Sequence, residues 1–316
     1  MIETDVIIVG AGPAGSTCAW KLKQAGFHVL LIDKHSFPRP KPCAGWITPS
    51  VLKDLEVDPN SLDISLTTFR KLTFFIHGRK ITIRTRQYAI RRYEFDHWLM
   101  ERSEARLIKH DVQQITRQDD CFIIDDAFRC TYLIGAAGTN CPVYHTFFKK
   151  ICPRQRSNLI ATIEAEFPYH FTDDRCYLWF FDSDFPGYSW YVPKTGGYLN
   201  IGIGGRTADL KRKGETISFH WESFLKKLKK LSLFKNSVIQ PRGYSYYLRQ
   251  RKLTLQIENA YIIGDAAGLA TYDMGEGIGP AVRSGLLVAQ SICSGKKIAI
   301  KKIPRYSFLR ILLPWL

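Results

Sequence analysis

Three glycines in the run GAGPAG, Gly10, Gly12 and Gly15, are the residues of this chain best suited to hold a phosphate. Gly10 permits a tight turn, Gly12 lets the backbone approach a pyrophosphate, and Gly15 lets the following helix pack against a strand. Eighteen residues beyond Gly15 stands Asp33, an acid at a strand end, placed to accept hydrogen bonds from ribose hydroxyls. Far downstream, GDAAG puts Asp265 after a short apolar run, where it can accept from ligand hydroxyls. Gly275 and Gly277 then lead into a helix near Ile278 whose first N–H groups can face partial negative charge. A third stretch, GYSWYVPKTGGYLNIGIGG, alternates: Tyr188, Trp190 and Val192 share one strand face, Ser189 and Tyr191 the other. Gly202 and Gly204 gain a strand little, and beside a cluster of aromatics they suggest that something flat needs room.

These residues need particular elements behind them. TDVIIVGAGPAGSTCAWKLKQAGFHVLLIDK reads as a buried parallel strand, a glycine turn, an amphipathic helix and a second strand, a βαβ unit that offers a helix N-terminus to a dinucleotide. This motif does not separate NAD from FAD. Around KTGG the register stays open: a three-residue turn sets Gly202 and Gly204 opposite Trp190 and Tyr188, and a two-residue turn sets Ile203 and Ile201 there.

With 316 residues and 45% hydrophobic content the chain can build a large core. The eight cysteines show no CxxC pair and no histidine spacing, so neither zinc nor any other metal site, nor a disulfide framework, is indicated. The N-terminus lacks the pattern of a signal peptide and no apolar run reaches the ~18 residues of a spanning helix, so a cytoplasmic location is expected. The net charge of +16 favours anionic partners, concentrated as it is in HWESFLKKLKKLSLFK and in SGKKIAIKKIPRYSFLRILLPWL. In the second segment Lys296, Lys297, Lys301, Lys302, Arg305 and Arg310 can meet lipid phosphates while Leu312, Leu313, Trp315 and Leu316 enter the interface, peripheral to the inner face of a membrane. Docking of that tail on the protein's own core is the alternative.

GAGPAG, RRYEFDHWL, YLIGAAGTN and IIGDAAG together resemble the FAD-dependent oxidoreductases of the p-hydroxybenzoate hydroxylase fold. Within it, KPCAGWITPSVLKDL and YSWYVP resemble the geranylgeranyl reductase family, over a span from about Asp5 to Ser291. The resemblance implies an α/β fold, a Rossmann-like FAD-binding domain (1–66, 91–153 and 255–300) with an inserted mixed β-sheet substrate domain (67–90 and 154–254), then a basic and apolar tail, 301–316. It implies that Gly10, Gly12, Gly15 and Asp33 hold the ADP half of FAD. Arg92 faces the pyrophosphate or ribityl region with Asp96 anchoring its helix, Asp265 bonds the ribityl chain or pyrophosphate, and Gly275, Gly277 and Ile278 lie beside the isoalloxazine. Pro13, Ala14, Lys34, Cys43, Ala44, Gly45 and Gly264 complete the expected cofactor set. Cys43 is placed near the flavin, where a thiol can position substrate, relay redox equivalents or supply a proton, or simply pack in its loop; Lys41 and Arg39 are neighbours that can lower its pKa.

Two departures stand out. GAAGTNCPVY has Ala137 where the family carries Asp, Cys141 where it carries Ser, and no Arg, and the C-terminal helical region is curtailed. The implied substrate slot is walled by Tyr188, Trp190, Tyr191, Gly202 and Gly204, with Cys43, Trp190 and Tyr188 as catalytic candidates. The expected activity is reduction of C=C bonds in a prenyl lipid, with NAD(P)H or a separate ferredoxin as electron donor and no nucleic acid as partner. A flavin monooxygenase or halogenase, and a non-catalytic FAD-binding membrane-stress protein, are the alternatives.

Overall fold

The run VIIV is apolar without alternation, as a strand covered on both faces requires. In the computed structural model, which describes residues 1–235 and 239–312, it lies at the centre of a first sheet. Ile2–Val9 pairs in parallel with Val29–Asp33, Val6 opposite Val29, and with Phe128–Gly135, Val6 opposite Tyr132. Arg106–Lys109 extends the sheet on one side, Ala260–Ile262 and Gln256–Ile257 on the other. Helices Pro13–Gln24 and Ile278–Ser294 cross on one face so closely that a Cβ on Gly285 would stand 2.5 Å from the Ala14 carbonyl oxygen. Separate apolar clusters fill the two faces: Val6, Ile8 and Leu31 with Leu22 and Val288 on the helical side, Ile7, Leu30 and Ile32 with Phe122 and Phe148 on the other.

The second sheet has eight strands in the order Arg242–Tyr247, Leu159–Pro168, Tyr198–Arg206, Gly187–Lys194, Cys176–Phe180, Leu66–Ile76, Arg79–Ile90 and Trp46–Ile47. It therefore takes in Trp46–Ile47, a stretch expected in the dinucleotide-binding part. Helix Ile217–Lys230 covers one face, packing Trp221, Phe224 and Leu228 onto Trp179, Tyr191 and Ile201. The other face looks toward the first sheet.

The hairpin turn has three residues, since Lys194 pairs with Tyr198. Gly196 and Gly197 take φ of +79° and +72°, a left-handed backbone that side chains resist. Trp190 is thereby opposite Gly202 and Tyr188 opposite Gly204.

The tail folds back onto the body. Ile303 is buried among the first sheet's apolar residues, and Arg249 donates to the Ile303 and Ile300 carbonyls. Asp273 accepts from the backbone N–H groups of Ser307 and Phe308, at 3.0 and 2.8 Å, and Phe308 meets Phe74 edge to face. Of the side chains expected at a membrane interface, Leu312 is half-buried, and Leu313, Trp315 and Leu316 lie outside the described residues. Among the described residues no helix is long and apolar enough to cross a membrane.

Candidate functional site

A cavity of about 1110 Å³ separates the strand ends of the first sheet from the open face of the second. That exceeds the ~300–1,000 Å³ of an ordinary small-molecule pocket, and it lies outside the carboxyl ends of parallel strands, where open α/β sheets bind ligands. Its floor is backbone. Gly10 has φ of +108° and a Cβ there would sit 2.4 Å from the Ala136 carbonyl carbon, while a Cβ on Gly15 would sit 1.9 Å from the Gly10 oxygen. Gly12 faces open space; the nearest atom to its would-be Cβ is an Arg39 nitrogen at 3.7 Å. Helix Pro13–Gln24 starts there without a side-chain cap, leaving its first N–H groups toward the cavity. Pro13, Ala14 and Lys34 line this end, whereas Gly15 stands behind it and acts through helix packing. Asp33 also lines the cavity and has a second task, since its carboxylate accepts from the Ala11 N–H (2.9 Å) and the His35 N–H (2.9 Å), fixing the glycine turn.

Cations gather above this floor. Arg92 grips Asp96 through two hydrogen bonds, Nε to Oδ1 at 2.5 Å and a terminal nitrogen to Oδ2 at 2.7 Å. Burial opposes the charge on Arg92, but the fully buried Asp96 beside it raises its pKa overall. Arg39 lies 3.9 Å from Asp33 and 3.7 Å from Asp96, and its Nε is buried with no hydrogen-bond partner. An orphaned buried donor beside an open glycine turn and a helix N-terminus fits a pyrophosphate group. Lys41 places Nζ 3.1 Å from the Tyr244 ring centroid, and burial, then Arg92, brings its pKa down to about 8.

The far end of the floor comes from the second glycine element. Gly264 takes φ of +59°, and Asp265 accepts from the Tyr244 hydroxyl at 3.2 Å. Gly275, Gly277 and Ile278 line the cavity at the start of the Ile278–Ser294 helix, and a Cβ on Gly275 would lie 2.5 Å from the Tyr246 hydroxyl. Cys43 and Ala44 line the cavity nearby. Gly45 does not: its φ of +72° and the Ile90 carbonyl, 2.0 Å from a would-be Cβ, make it a packing position. The expected acidification of Cys43 is not found. Burial pushes the thiol up and outweighs Arg92, and neither Arg39 nor Lys41 is among the main influences. Ala137 lines the cavity, while Cys141 is fully buried behind it with its sulfur against Gly135.

The roof is made of side chains. Tyr188 donates to the Met274 carbonyl at 2.7 Å and stacks on Phe180, and Trp190 Nε1 donates to Asn200 Oδ1 at 2.7 Å. Leu178, Val192, Met274 and Ile311 make the rest of this wall apolar, the last supplied by the tail. Two expectations need correction. Tyr191 does not wall the cavity: it is fully buried on the opposite face of its strand and donates to the Asp173 carbonyl. Gly202 and Gly204 do not line it either, because the Trp190 indole lies across them. A Cβ on Gly202 would be 2.2 Å from Trp190 Cζ2, so the flat group that needs the room is the tryptophan itself.

Sequence reasoning missed Glu164. It lines the cavity with 4% of its surface exposed, and burial raises its pKa to about 7 against the pull of Lys194. The one available signal was its place in the alternating run ATIEAEF, where it reads as a solvent-facing residue.

The model of the NAD(P)-binding Rossmann-like domain matches residues 8–60. An uncharacterized protein of Methanosarcina barkeri is 32% identical over 330 residues, which cover 95% of this chain and 77% of that protein. A geranylgeranyl diphosphate reductase of Rhodobacter capsulatus is 27% identical, with 98% of this chain and 81% of that protein covered. Among solved structures, a geranylgeranyl bacteriochlorophyll reductase-like protein of Thermoplasma acidophilum matches with a TM-score of 0.80 and 21% identity, over 98% of this chain and 81% of that one, and shares its fold.

Proposed function

The chain belongs to the geranylgeranyl reductase family of FAD-dependent oxidoreductases, and on that premise we propose that it saturates C=C bonds in a prenyl lipid. One observation carries the reading: a dinucleotide-type glycine floor and an apolar roof of Leu178, Tyr188, Trp190, Val192 and Met274 enclose one continuous cavity. A small hydrophilic acid would gain nothing from that roof, whereas an extended isoprenoid gains about 25 cal/mol for each Å² of apolar surface removed from water.

In this reading Gly10, Gly12, the Pro13–Gln24 helix start and Arg39 hold the pyrophosphate of FAD, Asp33 and Lys34 its adenosine ribose, and Asp265 its ribityl chain. Arg92 contributes positive charge to the same region. Gly275, Gly277 and Ile278 meet the isoalloxazine edge, where a helix N-terminus stabilises negative charge. When bound and reduced, FAD supplies hydride. The residues of the chain do the remaining work: the roof excludes water and holds the alkene, and the Trp190 face attracts positive charge that develops on carbon. Electrons come from NAD(P)H or a ferredoxin. Lys296, Lys297, Lys301 and Lys302, all exposed, together with the exposed Tyr306 and Leu309, bring the protein to an anionic membrane where its substrate resides. Co-sedimentation with anionic vesicles, weakened by salt, tests that contact; equal binding to neutral vesicles overturns it. The activity is tested by offering geranylgeranyl diphosphate and geranylgeranyl ether lipids to the reduced holoenzyme, with saturated product expected by mass spectrometry.

A further inference from the structure

Alkene saturation needs a proton as well as a hydride, and the roof contains a group placed to give one. Glu164 projects from the Leu159–Pro168 strand toward the cavity, directly opposite Gly202. Because Gly202 has no side chain, Glu164 and Trp190 share its space: a Cβ on Gly202 would stand 2.7 Å from Glu164 Cβ and 2.2 Å from the indole. Asn200 ties the group together. It takes the Trp190 N–H on its oxygen, donates to the Cys43 carbonyl at 3.2 Å, and hydrogen-bonds Glu164.

The cation that acts on it most strongly is already engaged. Lys194, itself 1% exposed, bonds Glu166 at 2.5 Å, and Glu166 also takes Arg91. Among the described residues Glu164 has no ion-pair partner within 4 Å, so a buried carboxyl there favours its neutral, proton-bearing form. The phenol and thiol groups beside Glu164 are poorer donors. Tyr188 is committed to the Met274 carbonyl, Tyr246 is driven well above the usual phenol range by burial, and burial raises Cys43 too.

We propose that Glu164 is the proton donor of the reduction. In the addition, reduced FAD, when bound, would supply the hydride, and with it both electrons, for the C–H bond at one alkene carbon. The Glu164 O–H bond breaks and its proton forms the second C–H bond at the other carbon. The alkene is thereby reduced, and Glu164 remains as a carboxylate that solvent reprotonates before the next turnover. The proposal rests on the prenyl-reductase reading.

The groups facing Glu164 are Lys194, Glu166, Cys43, Tyr188, Tyr246 and its cross-strand neighbour Arg242. Raising the pH through about 7 removes the donated proton, so the rate of the pre-reduced enzyme falls there. The test compares wild type with Glu164→Gln and Glu164→Asp, all loaded with FAD, in single turnovers with geranylgeranyl diphosphate from pH 5.5 to about 9. The expected result is wild-type flavin content in both variants, a slowing of roughly 10²–10⁴-fold with Gln and loss of the break near neutrality, and partial recovery with Asp. Infrared titration of the substrate-free protein gives a second readout: a protonated-carboxyl band that disappears near neutrality in wild type and is absent from Glu164→Gln. Wild-type saturation with an unaltered rate and pH profile in Glu164→Gln overturns the proposal and leaves the prenyl reading standing. A wild type that saturates none of the lipids takes both down, and a carboxyl band identical in the two proteins overturns the neutral acid on its own.

Discussion

The floor and roof of the cavity hold their ligands by different means. The floor is built on backbone, Gly10, Gly12, Gly264, Gly275 and two helix starts, with the charged side chains of Asp33, Arg39, Lys41, Arg92 and Asp265 set around it. The roof is side chain throughout, Tyr188, Trp190, Leu178, Val192 and Glu164 on three of the strands of the second sheet. A backbone site recognises what all dinucleotides share, so it tolerates no bulk and says little about substrate. A side-chain site can be changed one residue at a time, and specificity belongs there.

The largest contrast comes from breaking the floor. Gly12→Glu is expected to abolish flavin binding, because side-chain bulk and negative charge would enter the open space beside Arg39. Flavin absorbance per folded chain checks this, and a folded variant with full flavin content would mean the floor lies elsewhere. Breaking the roof gives the opposite pattern. Trp190→Ala is expected to keep its flavin while saturation falls about 10²-fold or more, through lost positioning and lost attraction for developing positive charge.

The floor was legible in the sequence because its glycines fall in two short continuous segments, 10–15 and 264–277, each leading into a helix. The start of the second helix near Ile278 was legible for the same reason. The roof was not. Its residues come from separated segments, and their meeting depends on register: only with the three-residue turn do Gly202 and Glu164 become neighbours of Trp190. Alternation assigned Tyr191 to the face opposite Trp190, yet nothing local says which face meets a cavity and which meets the Ile217–Lys230 helix. Glu164 and Glu166 look alike in ATIEAEF, and the difference between them is that Lys194 and Arg91 reach Glu166. The tail carried a true ambiguity, since apolar side chains between lysines suit a lipid interface and a protein groove equally; Ile303, Phe308 and Ile311 turn inward.

Smaller effects sharpen the roof itself. Glu164 has its folded pKa raised from 4.5 to about 7, so its ionisation costs the fold nothing below the lower value and weakens the fold progressively as pH rises from the lower value to the upper one. Relative to wild type, Glu164→Gln is therefore expected to gain stability between those limits, by at most about 3 kcal/mol, as read from denaturant midpoints. A difference independent of pH would contradict a neutral buried acid. The smallest change is expected one residue from Trp190. Tyr191→Phe loses the bond to the Asp173 carbonyl and about 1 kcal/mol of stability, with saturation rate and flavin content unchanged, because its ring lies on the far face. A rate loss approaching that of Trp190→Ala would place Tyr191 in the roof after all.

The central claim, that floor and roof together form a prenyl-lipid reductase, is tested most directly by a single turnover of chemically reduced, FAD-loaded wild type with geranylgeranyl diphosphate and geranylgeranyl ether lipids under exclusion of oxygen. The account predicts that flavin oxidation accompanies product formation and that the product gains two hydrogens for each bond saturated, one of them from solvent. Enzyme that holds FAD, stays reduced in the presence of every lipid and returns each of them unchanged would contradict it.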